Sequence, residues 1–95
     1  MSVLEVARLS VRSGDEAEFE RAFAIAQPLI QNAEGHLRSD LTRSVATGRY
    51  VLLVHWNTLE DHVETFVSSP AFNEFHDMLW AHFAEEPTVD HFDEI

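Results

Sequence analysis

The run at residues 50–56, YVLLVHW, limits the fold more than any other stretch, because it is apolar in both of the alternating sets that a strand presents. Leu52, Val54 and Trp56 fall on one side, and Val51, Leu53 and His55 on the other. Such a strand has to be covered on both faces. Helices of the same chain can supply one cover.

The flanking sequence provides them. Residues 3–12 (VLEVARLSVR) form a β-branched stretch with Val3, Ala7, Leu9 and Val11 on one face and Leu4 and Val6 on the other. Ser13 and Glu16 have capping-box spacing, and Phe19, Ala22, Phe23, Ala26 and Ile30 follow as a helical stripe, with a bend or break expected at Pro28. Gly35 is placed to end that helix. Residues 36–45 then read as a largely polar strand with Leu37 and Leu41 four apart, and Thr47-Gly48 turns it into a hairpin with residues 50–56. Asn57 or Thr58 can cap a next helix with Leu59, Val63 and Phe66 inward. Ser69-Pro70 restarts the helix with a cap and a first-position proline, and Phe72, Phe75, Leu79 and Phe83 form a second inward stripe. Pro87 ends it, and residues 88–95 are a last short strand.

The order βαββαβ predicts an α+β, ferredoxin-like fold over a single domain, residues 1–95, in which helices cover one face of a four-stranded antiparallel sheet. The other sheet face stays bare, including Val51, Leu53 and His55. A 95-residue chain hides only about two thirds of its unfolded surface, so the protomer is marginal alone and a homodimer through the bare face is expected.

Six Arg, no Lys and 17 acids give a formal charge of −11, which argues against nucleic acid or an anionic membrane as partner. A neutral aromatic ligand suits that surface better. The absence of Cys excludes disulfides, a thiolate nucleophile and Cys-based metal sites. No run approaches the roughly 18 apolar residues of a membrane helix and no leader pattern is evident, so the chain reads as cytoplasmic.

The segment from residue 50 to residue 92, with VLLVHWNTLEDHVETFVSSPAFNEFHDML followed by a Pro and the strand VDHFD, resembles the antibiotic biosynthesis monooxygenase domain. The apolar strand ending in Trp, the short helix and the Ser-Pro-x-Phe that opens the next helix carry the likeness. The resemblance implies a dimeric α+β barrel with sheets packed face to face. Two oxidative activities occur in that family, cofactor-free oxidation of polycyclic phenols to quinones and oxygenative breakdown of heme, and other members have been assigned neither. Trp56 matches the pocket Trp of the quinone-forming branch, whereas its pocket Asn falls at Leu52 and its pocket Tyr at His62. In the heme-degrading branch an axial His matches His76, its Asn falls at Ala7 and its Trp at Phe66.

The residues leave several roles open. His76, inside the stripe of Phe72, Phe75 and Leu79, is expected to point inward, as a pocket-wall histidine, a base, or an axial heme ligand. His62 can take a phenolic proton, or can fill space at the surface. Trp56, Leu52, Phe66 and Phe72 are the candidate binding residues, with Trp56 either stacking on a flat ligand or serving as core. Glu5 alternates with Leu4 and Val6 and can point toward the helices, but exposure near its strand end is the expectation. His82 and Glu86 are four apart but lie on an acidic helix surface, and no metal is expected; Asp90, Asp93 and Glu94 read as solvated. Three functions follow: a cofactor-independent monooxygenase acting with O2 on a small flat phenol or hydroquinone, with His62 and His76 as catalytic candidates; a heme-binding or heme-degrading protein; and a non-catalytic small-ligand-binding dimer. Oxygen uptake, a heme absorption band lost in His76→Ala, and ligand-dependent thermal stabilisation separate them.

Overall fold

In the computed structural model, which describes residues 2–95, strand β1 (Val3–Ser10) buries Val3, Glu5, Ala7 and Leu9 on one face and leaves Leu4 and Val6 half-buried on the other. Helix α1 (Glu16–Gln31) follows, then β2 (His36–Arg43) and β3 (Arg49–Trp56). A π-helical turn (Asp61–Phe66) leads into α2 (Pro70–Leu79), a 3₁₀ turn (Trp80–His82) and β4 (Thr88–Asp93). The sheet order β2-β3-β1-β4 is antiparallel throughout and places β1 and β3 in the middle. This is the ferredoxin-like arrangement, with the helices on one sheet face.

The core lies on that face. Tyr50, Leu52, Val54 and Trp56 of β3 meet Ala7 and Leu9 of β1, while α1 contributes Phe19, Phe23, Ala26 and Ile30, and α2 adds Phe75 and Leu79. Phe19 lies edge-on to Tyr50 with centroids 4.9 Å apart, and the Tyr50 hydroxyl donates to Glu20 at 2.6 Å. Tyr50 thereby buries its ring while its polar end finds a partner.

Several local expectations are corrected. The cap of α1 is Asp15 rather than Ser13; Glu16 turns back to accept from the Gly14 N–H at 2.9 Å, and the Asp15 side chain makes no cap bond. Pro28 does not interrupt α1, since it lies in the last turn, where the missing N–H would have served Ala24 on the exposed side. Leu37 and Leu41 do not share a face: the ladder slips between His36 and Arg38, so Leu37 is an extra residue pushed outward and 55% exposed. Leu59 and Val63 are likewise exposed, because the turn from Asp61 closes with a Val67 N–H to His62 carbonyl bond of 3.1 Å, one residue wider than an α-turn. Phe66 is buried as expected, His62 is buried with it, and Val63, though partly exposed, still borders the cavity between sheet and helices. At the α2 start Ser69 is the cap, its hydroxyl accepting from the Phe72 N–H at 3.2 Å, with Pro70 in the first turn.

Candidate functional site

Between the sheet and α2 lies a cavity of about 370 Å³. Its walls are apolar, among them Ala7 and Leu52 from the sheet, Phe66 from the π turn and Phe72, Phe75 and Leu79 from α2. Polar groups gather at one corner, where Glu5, His62 and His91 meet; a further carboxylate, Glu86, lines the cavity from the exposed loop before β4 and accepts from the Trp80 ring N–H at 3.3 Å. Such a chamber, apolar with a few convergent polar atoms, is the usual form of a small-molecule site.

Three strands and the π turn build the corner. Register pairs Glu5 of β1 with Val54 of β3 on one side and with His91 of β4 on the other, so Glu5 and His91 share the inner face. Trp56 closes β3 behind them. Its ring N–H donates to Glu5 Oε1 at 2.9 Å, and its face stacks on His62 at 5.2 Å with 15° between planes. The His62 Nδ1 to His91 Nε2 distance is 2.8 Å, and His62 Nε2 lies 3.4 Å from Glu5 Oε1.

Burial governs the charges here. Glu5, 5% exposed, has its carboxyl pushed up to about 7, since loss of water outweighs the stabilising bond from Trp56. His62 is pushed down to about 4, by burial first and by the neighbouring His91 second. Close as they are, Glu5 and His62 do not form a strong ion pair at neutral pH, because His62 is uncharged there. The corner can therefore give and take protons near pH 7 inside an apolar chamber.

The residues singled out from sequence divide into two groups. Leu52, Phe66, Phe72 and His62 line the cavity. Trp56 is fully buried and stands behind the wall, holding Glu5 and His62 rather than facing the space. His76 does not point inward: its side chain is 46% exposed, and its ring stacks at 4.3 Å on Trp80, a residue of the cavity wall, without lining the cavity itself. Glu5, expected at the surface, is instead the buried carboxyl of the site, and the strand alternation that places Val3, Ala7 and Leu9 inward is the signal that finds it. His91 follows from the same rule, as the inward partner of Glu5 next to Val89 opposite Ala7. His82 and Glu86 do not act together; His82 Nδ1 bonds Asp15 at 2.7 Å. Among the described residues no group of three His, Cys, Asp or Glu is arranged to hold a metal ion, and no helix is long and apolar enough to cross a membrane.

The model of the antibiotic biosynthesis monooxygenase family matches residues 2–78, which run from β1 through nearly all of α2. The chain belongs to the antibiotic biosynthesis monooxygenase family. A Bacillus subtilis (strain 168) relative, the uncharacterized protein YczJ, is 39% identical over 94 residues, covering 98% of this chain and 99% of its own. A solved Bordetella bronchiseptica structure that carries the family's designation is 37% identical, with a TM-score of 0.94 over 99% of this chain and 97% of that one. SnoaB, a cofactor-independent oxygenase from Streptomyces nogalater, shares the fold at 24% identity, with a TM-score of 0.86 over 99% of this chain and 93% of its own.

Within this antibiotic biosynthesis monooxygenase domain, the residues do not fit heme in the cavity. The imidazole that would ligate iron, His76, is not part of the chamber wall, and the chamber's own histidines, His62 and His91, are engaged with each other, His62 also stacking on Trp56. Ala7 adds no hydrogen-bonding side chain to the cavity wall.

Proposed function

We propose that the protein is a cytoplasmic, homodimeric, cofactor-independent monooxygenase that oxidises a small, flat phenol or hydroquinone-like aromatic with O2. The observation that carries this reading is the apolar cavity of about 370 Å³ with Glu5, His62 and His91 at one corner. Leu52, Phe66 and Phe72 are the surfaces against which a flat ring packs. Trp56 backs the site rather than touching the ligand. His62 lines the same polar corner from the π turn.

The chemistry needs no external reductant. Conversion of a ring CH2 flanked by phenolic rings to a carbonyl consumes one O2 and releases one water, and the substrate supplies all the electrons. A proton acceptor in the wall starts the reaction by making an electron-rich phenolate or enolate, which can pass an electron to O2. Apolar walls keep water from the intermediate. The family membership and the shared fold with SnoaB support the reading, as does the net charge of −11, which favours a neutral substrate over a polyanion.

The test is oxygen consumption with dithranol, a hydroxylated anthrone. We expect protein-dependent uptake, a quinone product carrying one atom from ¹⁸O2, and loss of most of the rate in His62→Ala. No uptake above the spontaneous rate with dithranol or related hydroquinones would overturn the reading in favour of a non-catalytic binder.

A further inference from the structure

Glu5 and His91 stand beside His62 at the cavity's polar corner. We propose that Glu5 is the residue that takes the substrate's proton, and that His62 and His91 carry the proton onward from the cavity to the protein surface. The proposal rests on the monooxygenase reading above and gives its first step a named acceptor and an exit.

Geometry comes first. Glu5 is a carboxyl in the inner wall, fixed at one oxygen by Trp56, so it presents a defined edge to the chamber. Its neighbours form a line: Glu5 Oε1 to His62 Nε2 at 3.4 Å, then His62 Nδ1 to His91 Nε2 at 2.8 Å. The line ends on β4, where His91 is half-buried at the sheet edge and meets water. Among the described residues, the other titratable group on the cavity wall is Glu86, which lies on an exposed loop and is engaged with Trp80. Helices α1 and α2 present only apolar side chains to the chamber, Phe23 and Ile30 from one and Phe72, Phe75 and Leu79 from the other.

Base strength separates Glu5 from His62. A carboxyl raised to about 7 is a far better acceptor at neutral pH than an imidazole lowered to about 4, which suits His62 to passing a proton rather than keeping it. In the step itself the substrate O–H bond breaks, its electron pair stays on the substrate oxygen, and a new O–H bond forms on Glu5. Glu5 then gives the proton to His62 Nε2 as the Nδ1 proton of His62 moves to His91 Nε2, and His91 releases a proton to solvent. Each imidazole gains a proton on one nitrogen as it yields one from the other. No electron is transferred, and Glu5 returns to its ionised form.

Two experiments test this. Dithranol oxidation by the wild type, corrected for the spontaneous rate, should rise with pH around a midpoint near 7. In Glu5→Gln, which keeps an acceptor for Trp56, the rate should fall by at least about 100-fold and lose that limb. His91→Ala should lose part of its rate and regain it when imidazole is added, a recovery that a merely structural role would not give. A Glu5→Gln protein with the wild-type rate and pH profile, or a His91→Ala protein deaf to imidazole, would overturn the relay while leaving the oxygenase reading intact. The second experiment needs no turnover. Difference infrared titration of Glu5, referenced to Glu5→Gln, should show a midpoint moved by bound 2-naphthol but not by naphthalene. Equal shifts from both ligands would mean that the hydroxyl does not reach Glu5, and the proposal falls. A 2-naphthol-specific shift in a protein that consumes no oxygen would instead uphold the acceptor and remove the monooxygenase.

Discussion

Glu5 and His62 each place an ionisable group where water is scarce, and this links the site's chemistry to the stability of the fold. The Glu5 carboxyl titrates near 7 in the folded protein against 4.5 for an unperturbed group, because burial disfavours its anion. Its stabilising contribution is therefore complete below about pH 4.5 and is lost as pH rises through 7. His62 behaves in the opposite sense: lowered from 6.5 to about 4, it contributes above pH 6.5 and loses its contribution as pH falls through 4. The two slopes oppose each other over the shared range. Glu5→Gln removes only the first, so its stability relative to wild type should increase by about 3 kcal/mol between pH 4 and pH 8. Urea denaturation at the two pH values measures this, and an unchanged difference would show that Glu5 titrates as it does in the unfolded chain.

Between the elements, the turn after α1 and the start of the π turn are locked together. Gly35 has a φ of +81°, and a Cβ there would run into the carboxylate of Asp61. Asp61 and Thr58 cap each other, with the Thr58 N–H donating to Asp61 Oδ2 and the Asp61 N–H to Thr58 Oγ1, both at 3.1 Å. That pair opens the turn that presents His62. Gly35→Ala should thus cost about 2 kcal/mol, part from the left-handed backbone and part from displacing Asp61. In the Gly35→Ala, Asp61→Ala double variant the losses should sum to less than the single effects, as contacting residues do. Chemical denaturation of the three variants provides the numbers, and a neutral Gly35→Ala would sink the argument.

At the scale of the whole molecule, the sheet face away from the helices carries Leu4, Val6, Val51 and Leu53, all half-buried, and Phe92, which is 47% exposed. His55 and Glu94 bond across this face at 3.0 Å, an interaction that holds the Glu94 carboxyl below its ordinary range, and Arg8 pairs with the solvent-exposed Asp90 at 2.7 Å. Apolar area of this kind gains about 25 cal/mol per Å² when covered. In the homodimer proposed above, a second copy of the chain burying about 1,000 Å² or more in total would provide that cover. Leu53→Asp should therefore sediment as a monomer while wild type sediments as a dimer, with far-UV circular dichroism unchanged. Identical sedimentation of the two proteins would remove this face from the assembly.

Much of this molecule is written locally. The β-branched alternation of β1 and β3, the Ser69-Pro70 start of α2, the stripe of Phe19, Phe23, Ala26 and Ile30, and the βαββαβ order all follow from periods of two or 3.6 residues and from caps within a turn. Such signals arise between residues a few positions apart, so the amino-acid sequence alone determines them. Leu37, Leu59 and Val63 do not follow these periods, because a bulge and a π turn each add a residue to the repeat, and both depend on what lies opposite. His76 departs from its stripe for a related reason: a helical stripe has a width, and the packing of Trp80 decides that this edge of it turns outward. The meeting of Glu5, His62 and His91 belongs wholly to the tertiary structure. It requires the register of β4 on β1 and the wider turn at Asp61–Phe66, which bring together groups 29 or more positions apart; no local periodicity encodes a distance across a sheet.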